Sequence, residues 1–164
     1  MGLSYSNMPI LKIWDYFSFS VDSLSERIKL QKITYLLSMF GFSGFEQYKK
    51  SHNIYIHGPY SSLVADDAYK ISNENITSNK NIQYTSHDEV LLNLIKEIDE
   101  KLLTKNMPKY SNYELVADIT YFSKKHPSWD SEQIFEELRN KKDYFGDKEY
   151  FKKAEQFLKT KDLI

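Results

Sequence analysis

The side chains in this sequence that are able to do chemistry are lysines, carboxylates, tyrosines and four histidines, because it contains no cysteine. Thiolate nucleophiles, disulfides and cysteine-ligated zinc or iron-sulfur sites are thereby excluded, and a reducing compartment, the cytoplasm, is the expected location. His52, His57, His87 and His126 stand in no H-E-x-x-H or other ligand spacing, and neither a G-x-S-x-G elbow nor a Walker loop accompanies them. No catalytic residue, metal or cofactor is expected on this basis. The carboxylates share no recognised acid-base spacing, and Glu136-Glu137 reads as a helix surface.

Lys29 is the residue most at odds with its position. At 100° per residue it falls between Leu36 and Phe40, inside the apolar stripe of its helix. A buried ammonium needs a carboxylate or a route to water, so Lys29 either snorkels from the first turn or pairs with Asp67 or Asp118. Asp67 lies on the inner edge of its helix. Asp118 sits among Leu115, Val116, Ala117, Ile119, Tyr121 and Phe122, which make its helix apolar almost all round and hence central.

The densest local motif is His57-Gly58-Pro59-Tyr60-Ser61-Ser62. Glycine permits positive φ, proline fixes the next residue and a serine closes a helix N-terminus, which together describe a tight strand-to-helix turn. The exposed amides would suit an anion or a partner's carboxylate, with Tyr60 as an amphipathic contact.

Positioning these residues requires mostly helices. A short helix is expected over 10–17. The Ser23-Leu24-Ser25-Glu26 capping box opens a second over 28–40, with Leu30, Ile33, Leu36, Leu37 and Phe40 inward and Arg27, Gln31, Thr34 and Ser38 outward. A connector with Phe42 and Phe45 leads to a short strand over 53–56, and Ser61 or Ser62 caps a third helix through Ile71 that buries Val64, Ala68 and Ile71. Residues 74–85 suggest a small hairpin about Ser78-Asn79-Lys80-Asn81. Ser86-His87-Asp88-Glu89 opens a helix to about 103, on which Leu92 and Leu103 add a second apolar face that calls for a partner. Three further helices are expected near 112–125, 131–141 and 147–160.

The fold class is therefore mainly α. The 164 residues form one domain, with a winged-helix-like part over 10–104 and C-terminal helices over 112–164 packed on it. The formal net charge of −1 supplies no global field for nucleic acid, and Arg27 and Arg139 are the sole arginines. The third helix, the reader in a winged helix, carries Asp66 and Asp67, which disfavours a DNA role. No stretch is apolar for long enough to span a membrane. Residues 1–6 match a loose myristoylation pattern that acts only in a eukaryotic host.

Arg27-Ile28-Lys29-Leu30-Gln31-Lys32-Ile33-Thr34-Tyr35-Leu36-Leu37, followed by Tyr55-Ile56-His57-Gly58-Pro59-Tyr60-Ser61-Ser62-Leu63, resembles the KLQK and YGPYS pattern of YwgA-like prokaryotic proteins. More distantly it is similar to the SocA or Panacea antitoxin domain. The resemblance covers about a quarter of the chain, with His57 in place of the usual aromatic. It implies a mostly helical domain and protein binding, some members being antitoxins. It also places Lys32 and Tyr35 beside Lys29, His57, Gly58, Pro59, Tyr60, Ser61 and Asp67 as candidate binding residues. The expected function is a non-enzymatic protein-protein interaction module, antitoxin-like or associated with a mobile element, engaging a protein partner or a second copy. The rivals are a winged-helix nucleic-acid binder using Lys141, Lys142, Lys148, Lys152 and Lys153, and a small-molecule or nucleotide-handling enzyme centred on His57.

Overall fold

A computed structural model of the protein describes residues 8–77, 81–102 and 106–164. The amino-terminal pattern over 1–6, the expected turn residues 78–80 and Leu103 lie outside them. The elements run α1 (Leu11–Trp14), α2 (Leu24–Met39), α3 (Glu46–Ser51), β1 (Asn53–Tyr55), β2 (Gly58–Tyr60), α4 (Ser62–Asn73), α5 (Ser86–Lys101), α6 (Ser111–Lys125), α7 (Ser131–Lys141), a 3₁₀ turn (Asp143–Gly146) and α8 (Lys148–Thr160). The fold is mainly helical with one small antiparallel sheet, and no helix among the described residues is long and apolar enough to cross a membrane.

Side-chain caps mark most helix starts, each relieving an orphan amide of the first turn. Ser23 accepts from the Glu26 amide, Ser61 from Val64 and Asp147 from Glu149 and Tyr150. Asp130 and Gln133 form a reciprocal box. The box opening α5 belongs to Thr85 and Asp88, one residue earlier than expected. Glu26 does not close the expected box of α2; its Oε1 instead accepts from the Tyr110 hydroxyl at 2.8 Å, tying α2 to the loop before α6.

α2 and α6 pack along each other at the centre, with α8 on α6 and the hairpin against both. Leu115, Val116, Ala117 and Ile119 of α6 are wholly buried. α2 is buried over its whole circumference from Leu30 to Ser38, so Gln31, Thr34 and Ser38, expected outward, face protein. The difference arises because the hairpin and α6 cover the side that the periodicity assigned to solvent. On α4 the buried side chains are Val64, Ala68 and Ile71.

Two local expectations change. The connector after α2 contains α3, whose Tyr48 hydroxyl donates to Asp67 Oδ2 at 2.6 Å and accepts from the Ile10 amide at 3.2 Å, pinning the first segment to α4. Gly58-Pro59-Tyr60 is also more than a turn: it pairs as β2 with β1, with Asn53 opposite Tyr60, Ile54 opposite Pro59 and Tyr55 opposite Gly58. The sheet thus precedes α4. Among the described residues of 74–85 there is no strand, so the order differs from a winged helix, where the wing follows the reading helix. Of the apolar surplus expected on α5, Leu92 is buried in the common core.

Candidate functional site

The hairpin closes over a cluster of charges that α2, α6 and the end of α7 hold inside the protein. Lys32 and Asp118 are each 1% exposed and Glu114 is 2% exposed. Lys32 Nζ donates to the Pro59 carbonyl at 2.6 Å, so a backbone oxygen of β2 receives the buried ammonium. Asp118 lies directly beneath Gly58. A Cβ on that glycine would collide with Asp118 Oδ1 and stand 3.0 Å from its Cγ, and the backbone there has φ of +89°. Both facts require glycine at 58.

Glu114 is held from the opposite side. Its Oε1 accepts from Lys142 Nζ, and its Oε2 accepts from the Tyr144 hydroxyl at 3.1 Å. Lys142 also donates to His57 Nδ1 at 2.9 Å. An ammonium has only donors, so this contact fixes His57 as the neutral ring with its proton on Nε2. Burial and the Lys142 charge hold the His57 pKa below its ordinary value. The approach of His57 Nδ1 to Glu114 Oε1, at 3.9 Å, is therefore not a charged pair.

Burial pushes the Asp118 carboxyl up to about 7 against the pull of Lys32, and lowers Lys32 to about 8 against the pull of Asp118 and Glu114. The opposite charge of each partner favours the ionised form of the other. Among the described residues Asp118 Oδ1 and Lys141 Nζ are buried without hydrogen-bond partners, although Lys141 lies 5.1 Å over the Phe122 ring. The cluster sets the three ammonium groups of Lys32, Lys141 and Lys142 against the two carboxylates of Glu114 and Asp118. Among the described residues no group of side chains is arranged to hold a metal ion.

On its outer side the hairpin meets α2 and α4 in an open groove of about 320 Å³. Its floor is Gln31, Lys32 and Gly58; its walls include Ala65 and Ala68. The rim is apolar and exposed, with Ile56 81%, Tyr55 55% and Leu24 52% accessible and Tyr69 completing the α4 side. Gln31 holds the groove's base together. Its Nε2 donates to the Ser61 carbonyl at 3.0 Å and its Oε1 accepts from the Ser61 amide at 2.9 Å, so one side-chain amide pairs with the backbone just beyond β2 as a neighbouring strand would.

Comparison with protein-family models, with curated proteins and with solved structures returns no match. The site's chemistry therefore rests on its own geometry.

The structure brings Lys32, His57, Gly58 and Tyr60 to the groove, with Pro59 and Ser61 as backbone partners beneath it. It separates the others. Lys29 donates to the Phe17 carbonyl at 2.5 Å and lies 5.3 Å over the Tyr110 ring, half-buried near the open end of α2, so it pairs with neither Asp67 nor Asp118. Asp67 is engaged by Tyr48 instead. Tyr35 is buried edge-on to His52, at 5.1 Å and 64°, and burial raises its pKa. The interior ammonium is Lys32, one turn deeper than Lys29, where α2 is enclosed.

Glu114, Tyr144 and Gln31 carry the site with Lys32 and Asp118 but were not singled out from sequence, and Lys142, which joins them, was read only as a nucleic-acid contact. Glu114 had a signal: it lies four residues before Asp118 on a helix otherwise apolar all round, so the two carboxylates share one face. Of the lysines proposed to meet nucleic acid, Lys141 and Lys142 turn inward and Lys148 pairs with Glu132 at 2.6 Å.

Proposed function

We propose that the chain is a non-enzymatic protein-protein interaction module whose docking surface is the groove between the hairpin, α2 and α4. The observation that carries this reading is the exposed apolar rim of Leu24, Tyr55, Ile56 and Tyr69 around a formed depression. Large apolar side chains concentrated about a concave site mark contact surfaces more often than scattered ones do. Glu114 and Asp118 argue against a reaction in the groove, since both are buried and neither lines it. An antitoxin-like role is the narrower form of the reading, and its support is the resemblance of residues 27–37 and 55–63.

The test is affinity capture from the source cell's lysate with the wild-type chain and with Ile56→Glu, followed by hydrogen exchange on the isolated complex. A protein held by the wild type, lost with Ile56→Glu and protecting amides over 55–69 supports the module. Ile56 is exposed, so its substitution leaves the core intact. Equal capture by both chains, or protection confined to other elements, overturns it. An adjacent gene whose toxic product the chain neutralises, again through Ile56, would establish the antitoxin form.

A further inference from the structure

The charge of the groove is one-sided. Its ionisable lining residues other than tyrosines are Arg27, Lys32 and His57, and neither aspartate nor glutamate lines it, in a chain whose 23 acidic residues outnumber its 22 basic ones. Arg27 uses one donor on the Val21 carbonyl at 2.9 Å, which holds the guanidinium at the wall, and it makes no ion pair among the described residues. Beneath the floor, the buried cluster has one more ammonium than it has carboxylates. Of this cluster Lys32 and the neutral His57 line the groove while the Glu114 and Asp118 carboxylates do not, so the charged groups at its surface are Arg27 and, beneath it, Lys32. Apolar walls lower the local dielectric and lengthen the reach of that field.

We propose that the groove takes a peptide segment of a protein partner in which a carboxylate side chain is flanked by apolar ones, the apolar residues lying on the Leu24, Ile56 and Tyr69 rim and the carboxylate beside the Arg27 guanidinium, above the Lys32 floor. This rests on the docking reading above and adds the partner's chemistry to it. A polyanion fits less well: exposed Asp66 on α4 stands along the rim helix and would repel successive phosphates, whereas one carboxylate seated over the floor avoids it. A second copy of the chain would have to present such a segment itself.

The experiment pans a random-peptide display library against the folded full-length chain and measures recovered peptides by fluorescence anisotropy. Each peptide is compared with its Asp→Asn or Glu→Gln form, on the wild type, Ile56→Glu and Arg27→Gln. The expected result is a recovered motif of apolar residues around one acid, with affinity falling about tenfold or more on amide replacement and on Arg27→Gln, weakening with salt and lost with Ile56→Glu. Peptides that need Ile56 but bind equally well without their acid overturn the carboxylate and leave the docking reading standing. Recovery of no peptide, or of peptides indifferent to Ile56→Glu, overturns both. Self-association abolished by Ile56→Glu overturns the separate partner in favour of a second copy.

Discussion

Gly58 and Asp118 form a contact in which a missing side chain makes room for a buried carboxylate. Gly58→Ala would meet both an unfavourable positive φ and a collision with an interior that cannot yield, and a loss of about 3 kcal/mol or more is expected in chemical denaturation. The charged pair behind it predicts a particular dependence on pH. A carboxyl raised in the native state binds its proton more tightly there than in the unfolded chain, so Asp118 makes stability fall as pH rises from about 4 towards 7. Lys32, lowered to about 8, releases its proton more readily in the native state, and stability recovers as pH rises beyond that value. Other groups titrate in the same range, among them His52, which burial holds near 4 and which acts in the opposite direction below its ordinary value. The informative quantity is therefore the difference between wild type and Asp118→Asn. That difference should shift in favour of Asp118→Asn between pH 5 and 7, by at most about 1.4 kcal/mol per pH unit, and level off above. A flat difference would show that Asp118 is ionised throughout.

Between helices and hairpin, Gln31 is the joint. Gln31→Ala leaves the Ser61 amide buried without its acceptor, while the Ser61 carbonyl keeps the Ala65 amide at 3.1 Å. The expected cost is about 1–3 kcal/mol, read as a lower denaturation midpoint at unchanged slope, and Gln31→Glu should also destabilise because it brings an oxygen against that carbonyl. This element also shows what sequence reasoning could reach. The caps at Ser23 and Ser61 were visible because capping depends on residues three apart or fewer, and the Val64, Ala68 and Ile71 face because α4 has one covered side. The role of Gln31 was not visible, since an angular count assigns it outward and only the hairpin, arriving from thirty residues away, encloses it. The same reason misplaced the interior ammonium. Lys29 and Lys32 both lie near an edge of the apolar stripe, and tertiary cover, absent at the first turn and complete one turn later, decides between them. β2 was read as a turn because glycine and proline are poor strand formers, yet Pro59 serves by presenting its carbonyl rather than an amide.

Over the whole molecule, α8 is inseparable from the rest. Tyr150, Phe151, Ala154, Phe157 and Leu158 join the same buried cluster as α2 and α6, the Tyr150 hydroxyl donates to Asn112 at 2.7 Å, and Lys142 closes on Glu114. A chain ending after residue 141 should fail to fold, and the intact chain should unfold in one transition reported alike by far-ultraviolet circular dichroism and by the fluorescence of Trp14 and Trp129, which lie in its early and late thirds. Two separated transitions would mean that the C-terminal helices form a unit of their own. The mainly helical class was legible because it sums many local signals; the order of hairpin and third helix was not, because strand pairing is settled by partners rather than by propensity.

The hairpin divides its residues by what they contribute. Inward, positions 58 and 59 act through main-chain atoms and an absent methyl group. Outward, Tyr55, Ile56 and Tyr60 make an aromatic and aliphatic crest, Tyr55 and Tyr60 meeting edge-on at 5.2 Å. Such a strip is a changeable fitting on a fixed mount: its crest can be rewritten to suit a new binding target without unseating the electrostatic lock underneath, and a programme to retarget the protein should randomise 55, 56 and 60 while leaving 57–59 alone.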